Sequence, residues 1–237
     1  MALPMNSTPV YTIKVPSTGK EFKFRPFLVK EEKILLIAQQ SEDLLVMVDS
    51  LKQVIKSCSK SDVDINTLAS FDLEYIFTQI RAKSVGENVE LLLKCDTCED
   101  DKAVVKINID LTKLEVTKPE NHNNNIMLFD DVGIVLKYPS LDILKLIESE
   151  TENEMDDIFS VVADSIDSIY NTSEVFHAKD QTKDELLDFL NNLTSEQFSK
   201  IQLFFETMPR LKQDIEYTCP VCQKKHEKLL EGLSSFF

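Results

Sequence analysis

Two pairs of cysteines, each with two residues between them, are the residues of this sequence best suited to chemistry. Cys95 and Cys98 lie in "LKCDTCED", and Cys219 and Cys222 lie in "YTCPVCQK". The residues on both sides of each pair alternate between apolar and polar, which predicts a β-hairpin with the cysteines at its tip. A C-x-x-C turn presents two thiolates on one face, and two such turns complete the tetrahedral shell of a structural zinc ion. The sequence therefore predicts a zinc ribbon in which these four cysteines bind Zn²⁺.

The ribbon is unusual because 120 residues, 99–218, separate the two pairs. Ribbon spacings are usually far shorter, so the intervening segment must begin and end at the same place. Three alternatives stay open. The pairs could be redox-active, although such a pair normally begins a helix, whereas both pairs here are flanked by strands. The cysteines could bind no metal, or His226 could replace a thiolate, although strand alternation favours a surface position for it.

The fifth cysteine, Cys58, has a different explanation. In the helix predicted over 41–59, apolar residues recur at steps of four and three residues from Leu44 to Cys58 and form one stripe. A thiol on such a stripe packs as a small apolar side chain. We therefore expect Cys58 to be buried in the core and to take no part in binding metal.

Apolar periodicity predicts secondary structure along most of the chain. Thr182 with Glu185, and Thr194 with Gln197, have the spacing of capping boxes, and Ser70 is the predicted cap of the third helix. In order, the predicted elements are a hairpin at 9–28 with its turn at 17–20, helices at 29–39, 41–59 and 71–85, hairpins at 88–109 and 126–138, helices at 140–149, 155–171, 183–192 and 195–208, and a strand at 211–218.

These elements predict an α+β fold, with a mostly helical body, β-hairpins and a split zinc ribbon built on four cysteines. The predicted segments are an N-terminal hairpin at 1–28, a helical segment at 29–87, hairpins with the first cysteine turn at 88–138, a helical segment at 139–209, and the second cysteine turn with a C-terminal tail at 210–237.

The run 148–157 holds six acidic residues in ten. It is either a docking strip for a basic partner or a solvated connection between helices.

Composition narrows the classes of function. The 237 residues include 41 acidic and 26 basic side chains, a formal net charge of −15. This charge repels phosphate backbones, so we expect protein partners and no nucleic acid. The chain has neither a signal-peptide pattern nor an apolar run of about 18 residues, so we expect no secretion and no membrane insertion. Its three histidines lie outside nucleophile motifs and its four glycines form no phosphate-binding loop, so we expect no enzymatic activity.

Three stretches carry a resemblance to a known family. They are "STGKEFKFRPFLVKEEKILLIA" (17–38), "FDLEYIFTQIRAKSVGENVELLLKCDTC" (71–98) and "FSKIQLFFETMPRLKQDIEYTCPVC" (198–222). They are similar to the baseplate protein family of T-even-type bacteriophages, and the resemblance runs over most of the chain. It implies a viral tail protein, made in the host cytoplasm, that binds hub proteins of the tail baseplate when the hub is put together. It implies no catalytic residues.

The leading hypothesis is a baseplate hub assembly protein that acts as a transient, chaperone-like factor. The second is a structural subunit of the hub that remains in the virion. The third, from another class, is a zinc-ribbon accessory factor for transcription or replication, against which the net charge of −15 argues. These hypotheses leave open which hub protein the chain binds, the stoichiometry of the complex, the binding surface and whether the chain associates with itself.

Overall fold

The structure is a computed structural model that describes residues 7–41, 43–98, 102–142 and 154–236. These residues form six α-helices and eleven β-strands, the latter in four small sheets. The chain forms two compact units: one combines Met1–Thr117 with Arg210–Phe237, and the other is Lys118–Pro209. The fold is α+β, as predicted, but it contains too many strands for a mostly helical body. Among the described helices, none has the length and apolar character needed to cross a membrane.

The first unit begins with the predicted N-terminal hairpin. Strands β1 (Tyr11–Lys14) and β2 (Glu21–Phe24) pair antiparallel. In the turn between them Gly19 has a φ of 67°, a left-handed conformation that glycine adopts without steric cost. Phe22 and Phe24 alternate with exposed residues and are fully buried. The hairpin therefore supplies two aromatic side chains to the core.

Three helices follow, and the start of the third differs from the prediction. They are α1 (Val29–Ser41), α2 (Leu44–Cys58) and α3 (Ser70–Ser84). Ser70, the predicted cap of α3, lies inside the helix, and the cap position is Ala69, which makes no side-chain hydrogen bond. Asp72 in the first turn of α3 instead accepts hydrogen bonds from the backbone N–H of Ser17, at 2.9 Å, and from its hydroxyl. A tertiary contact to the β1–β2 turn thus anchors this end of the helix.

A buried ion pair joins the hairpin to α1 and α2. Glu31 is 1% exposed, and its carboxylate accepts hydrogen bonds from Arg25 Nη2 at 2.9 Å, Ser57 Oγ at 2.6 Å and the backbone N–H of Leu28 at 2.8 Å. Burial alone would raise the pKa of Glu31, but these hydrogen bonds and the charge of Arg25 outweigh it and lower the pKa to about 2. The carboxylate therefore stays ionised inside the core.

Cys58 lies beside this ion pair, in the core position predicted from the apolar stripe. Its side chain is fully buried, and Arg25 Nη1 lies 3.7 Å from its sulfur. Burial raises the pKa of the Cys58 thiol to about 11, so it stays protonated at neutral pH. A protonated thiol in a closed core is a poor metal ligand.

Two sheets complete the first unit. One sheet pairs β3 (Asn88–Lys94) with β4 (Val104–Asp110). The other contains β5 (Glu115–Thr117), β10 (Arg210–Thr218) and β11 (Lys225–Glu231), in the order β11-β10-β5. Side chains of both sheets, among them Val89 and Leu211, share one core with Ala82 of α3. Thr117 and Arg210 are partners in the β5–β10 ladder. The segment between them therefore leaves and re-enters this unit at neighbouring residues.

The second unit packs helices against a four-stranded antiparallel sheet. It contains β6 (Asn125–Phe129), β7 (Val132–Leu136), β8 (Ile166–Tyr170) and β9 (Val175–His177), in the order β6-β7-β8-β9, and the helices α4 (Glu154–Asp164), α5 (Lys183–Asn191) and α6 (Ser195–Glu206). Ile134, Leu190 and Phe204 are among the buried residues of its core. Strands β6 and β7 form the hairpin predicted at 126–138. The helix predicted at 140–149 lies outside the described residues beyond 142.

The segment 139–209, predicted to be helical, contains two strands. The helix predicted over 155–171 ends at Asp164, and the chain continues as β8. Ile166 and Ser168 are buried, whereas Asp167 between them is exposed, which is the alternation of a strand. The edge of β7 offers this segment backbone partners and a half-buried surface. Such tertiary pairing overrides the helical periodicity read from the local sequence.

Both predicted capping boxes are present, and we expect one of them to contribute measurably to stability. Thr194 accepts a hydrogen bond from the backbone N–H of Gln197, whose side chain accepts one from the N–H of Thr194. Thr194→Ala removes the capping oxygen of α6, so the free energy of unfolding of this variant should be about 1 kcal/mol lower than that of the wild-type protein. Thr194→Ser keeps that oxygen and should lose much less. Urea denaturation followed by circular dichroism measures both variants.

Glu74 on α3 should destabilise the folded state at alkaline pH. Burial, and next the negative charge of Glu231, raise the pKa of Glu74 to about 7, against a smaller opposing effect of Arg210. A carboxyl group whose folded pKa is raised contributes stability below its unfolded pKa and loses it as the pH rises through the folded value. We expect Glu74→Gln to stabilise the protein by about 2 kcal/mol at pH 8, and by less as the pH falls towards 5. Denaturation at several pH values tests this, with Glu216→Gln as the exposed control.

Candidate metal centre

Each cysteine pair begins directly after a strand of the first unit. Cys95 follows β3, and its N–H donates to the carbonyl of Ala103 at 2.9 Å, which extends the hairpin by one residue. Cys219 follows β10, and its N–H donates to the carbonyl of Lys224 at 3.0 Å. Within the second turn, the backbone N–H of Val221 lies 3.4 Å from the sulfur of Cys219. These three contacts hold the backbone of the two cysteine turns in place.

The structure brings all four predicted ligands together. Their Sγ atoms lie within 4.8 Å of one another. Cys95 and Cys222 are 3.9 Å apart at sulfur, and Cys98 and Cys219 are 3.8 Å apart. Four sulfurs placed tetrahedrally at the usual Zn–S bond length are about 3.8 Å from each other, and a disulfide would need about 2.05 Å. The sulfur cluster therefore fits a tetrahedral metal ion and not a disulfide, and all five cysteines are free thiols.

The cluster is closed towards the protein and open at one side. Cys219 is fully buried and Cys95 is 3% exposed, whereas Cys98 and Cys222 are half-buried. The buried Ala103 packs among them. One cysteine of each pair is thus set in the protein and its partner lies nearer the surface, so a metal ion bound there would be held from both hairpins.

Comparison with known proteins places the chain in a family. A family model described as T4 bacteriophage base plate protein matches residues 8–237. The chain belongs to this family. No curated protein and no solved structure matches it. The resemblance drawn from three stretches is thereby confirmed, and the match includes both cysteine pairs of this baseplate protein.

Two further side chains of the baseplate protein contact the sulfurs. Thr97 Oγ1 lies 3.2 Å from the sulfur of Cys95 and 3.7 Å from that of Cys222. His226 on β11 places Nε2 3.3 Å from the sulfur of Cys95, and its ring stacks on Tyr217 with the centroids 5.0 Å apart. The sequence placed His226 at the surface or in the ligand shell. It is half-buried beside the four-sulfur cluster, where a protonated Nε2 would donate a hydrogen bond to a ligand.

Hydrogen bonding around the sulfurs of the baseplate protein favours thiolates at two positions. A hydrogen bond with Thr97 lowers the pKa of Cys95 to about 7, and the backbone of Lys224 lowers the pKa of Cys222 to about 5. Hydrogen bonds with the neighbouring sulfurs, above all with Cys222, raise the pKa of Cys98 to about 12. Neighbouring thiolates thus oppose further ionisation in the cluster. A divalent cation would offset this charge and favour the fully ionised set.

The histidines outside this centre have other surroundings. His122 belongs to the core of the second unit, where its two ring nitrogens lie 3.0 Å from the hydroxyls of Thr207 and Tyr138. Burial lowers the pKa of His122, so the neutral ring is favoured. His177 is exposed on β9. The partners of His122 are those of a core residue with satisfied hydrogen bonds.

Proposed function

We propose that this baseplate protein is an assembly protein of the tail baseplate hub, that it acts by binding other proteins of the hub, and that it folds around a structural zinc ion. The observation that carries the proposal is the family match over residues 8–237. Assembly would take place in the host cytoplasm, when the hub is put together. Because a baseplate is built from protein subunits, the partners in this proposal are proteins of the same phage.

The proposed zinc ion has a structural role. Cys95, Cys98, Cys219 and Cys222 would hold it, and four thiolates fill its coordination shell without leaving a position for a substrate. When bound, the ion supplies cross-linking and charge compensation. The two hairpins already share one core, so the ion would join residue 95 to residue 222 at their tips. This arrangement supports a binding protein, and we propose no enzymatic activity.

The partners in this proposal do not include nucleic acid. A formal charge of −15 opposes binding to phosphate backbones. A zinc-ribbon factor of transcription or replication would bind DNA or RNA with an affinity that falls as salt increases. We expect a gel-shift titration at low salt to show no complex. A salt-sensitive complex would instead favour that accessory role.

A hub subunit that remains in the virion is the second candidate, and the family description as a base plate protein supports it equally. Quantitative mass spectrometry of purified virions separates the two roles. A transient assembly protein should be absent from mature particles and present in hub intermediates isolated from infected cells. Peptides of this chain at the level of known baseplate subunits would rule out the transient role, and absence from both preparations would contradict both candidates.

A further inference from the structure

The net charge of the chain is concentrated in the second unit. Lys118–Pro209 holds 19 Asp or Glu residues against 6 Lys and no Arg, which gives −13, whereas the remainder holds 22 acidic against 20 basic residues, which gives −2. An acidic module of this kind attracts basic partners and repels acidic ones. The predicted acidic strip, 148–157, belongs to this unit, although 148–153 lie outside the described residues. The charge therefore points to the second unit as a docking module.

The second unit also has an apolar groove of about 330 Å³ on its surface. The groove lies between α5 and one end of the four-stranded sheet, where β6 and β8 end and β7 begins. Four of its ten lining residues are aromatic, and two of these stay accessible to solvent: Phe129 is 37% exposed and Phe176 is 40% exposed. Its lining includes Phe129, Val132, Ile169, Tyr170, Phe176 and Phe189. Such a groove offers pockets for apolar side chains of a bound segment.

An edge strand borders this groove. Strand β9 is last in the order β6-β7-β8-β9, and all three of its residues are exposed. At the other edge of the sheet the ammonium group of Lys200 donates to the carbonyls of Met127 and Leu128, at 3.3 Å and 2.7 Å. Lysine is a common device against unwanted strand pairing. Strand β9 consists instead of Val, Phe and His; Val and Phe are enriched in strands, and none of the three is a charged residue or proline of the kind that blocks an edge.

Acidic side chains flank β9 in the sequence, and one acidic side chain, that of Glu185 on α5, lines the groove itself. Glu174 immediately precedes β9, and Asp180, Asp184 and Asp188 follow it, all of them exposed. One of the two lysines in this stretch, Lys183, pairs with Asp164 at 3.0 Å. Acidic side chains therefore outnumber basic ones along 174–188, five to two, and we call these five carboxylates the acidic rim.

We propose that the groove and the outer edge of β9 bind an extended basic segment of another protein. The segment adds as a strand to β9, alternate apolar side chains enter the groove beside Phe176, and lysine or arginine side chains face the acidic rim. A second copy of this chain is a poor occupant, because two second units of charge −13 repel each other. The proposal concerns one surface and holds whether the protein acts transiently or remains in the virion.

Selection from a library of random peptides on the zinc-loaded full-length protein tests the proposal without assuming a sequence. The selected peptides should be rich in Lys and Arg and should alternate apolar with basic residues. We expect Phe176→Ala to weaken their binding about tenfold by calorimetry, because it removes a groove wall. Val175→Ala is the matched control, because Val175 is next to Phe176 in β9 and its side chain therefore lies on the opposite face of the strand. It should change the affinity less than about twofold.

Backbone methylation of a selected peptide tests the strand addition itself. Only alternate amides of an added strand face β9, so methyl groups on one alternate set should abolish binding and those on the other set should not. The proposal is overturned if the library yields no binders, if the binders lack basic residues, if both methylated peptides bind, or if Val175→Ala weakens binding as much as Phe176→Ala. A dimer detected by sedimentation and dissociated by Phe176→Ala would assign the edge to self-pairing instead.

Discussion

Cys219→Ser is expected to lose the metal ion and to lower the free energy of unfolding by about 4 kcal/mol or more. Cys219 is the fully buried member of its pair, and its sulfur is 3.8 Å from that of Cys98. A structural site that keeps three thiolates binds zinc poorly, and the energy of metal binding is part of the energy of folding. Elemental analysis of the purified variant and denaturation with and without added zinc measure the two effects.

Cys58→Ser is the matched control for this prediction. Cys58 is as deeply buried as Cys219, but it packs beside Arg25 and lies outside the four-sulfur cluster. The variant should therefore bind zinc at the wild-type stoichiometry and lose only the packing of one thiol, about 1–2 kcal/mol. If Cys58→Ser lost the metal while Cys219→Ser kept it, the assignment of ligands would be wrong.

The second large effect is expected at the buried ion pair of the first unit. Glu31→Ala leaves the guanidinium of Arg25 in the core without its carboxylate, and it also removes the acceptor of Ser57. Loss of one partner of a buried pair costs about 3–5 kcal/mol. Glu32→Ala, which changes the next residue and an exposed carboxylate, should cost less than about 1 kcal/mol. Equal stability of the two variants would show that the pair contributes nothing to stability.

The stability that the Glu31 carboxylate contributes should depend on pH, and the neutral variant Glu31→Gln measures this dependence. Glu31 has a folded pKa of about 2, below the ordinary value of 4.5. A depressed carboxyl pKa contributes stability above the unfolded pKa, and this contribution is lost as the pH falls through the folded value. The difference in unfolding free energy between wild type and Glu31→Gln should therefore be largest above about pH 5 and shrink towards pH 2. A difference that is constant with pH would mean that the carboxylate is not selectively stabilised.

The elements that local sequence determines were predictable. Alternation around Cys95 and Cys219 predicted both hairpins, and the spacing from Thr194 to Gln197 predicted a helix start that the structure reproduces. Strand β8 was not predictable in this way, because 29 residues, 137–165, separate it from its partner β7. The register between the two strands also skips one residue. The sequence of 155–171 has helical periodicity throughout, and only pairing with β7 makes its last part a strand.

The candidate site was predictable to the same degree. The types and spacing of the cysteines identify four candidate ligands, but they do not show that the two pairs meet. The β5–β10 ladder explains the meeting, because Thr117 and Arg210 are partners and the whole of Lys118–Pro209 is inserted between them. The contacts of His226 and Thr97 with sulfur had weaker signals: a histidine near a C-x-x-C turn and a hydroxyl within one.

Native mass spectrometry of the protein purified without chelator tests the central claim most directly. The mass of the native chain is compared with its mass after denaturation in acid, and metal content is measured on the same sample. The four sulfurs within 4.8 Å of one another predict one zinc ion per chain, lost from Cys219→Ser and kept by Cys58→Ser. A native protein without metal, in which the thiols of Cys95, Cys98, Cys219 and Cys222 all react with a thiol reagent, would contradict the zinc-folded account.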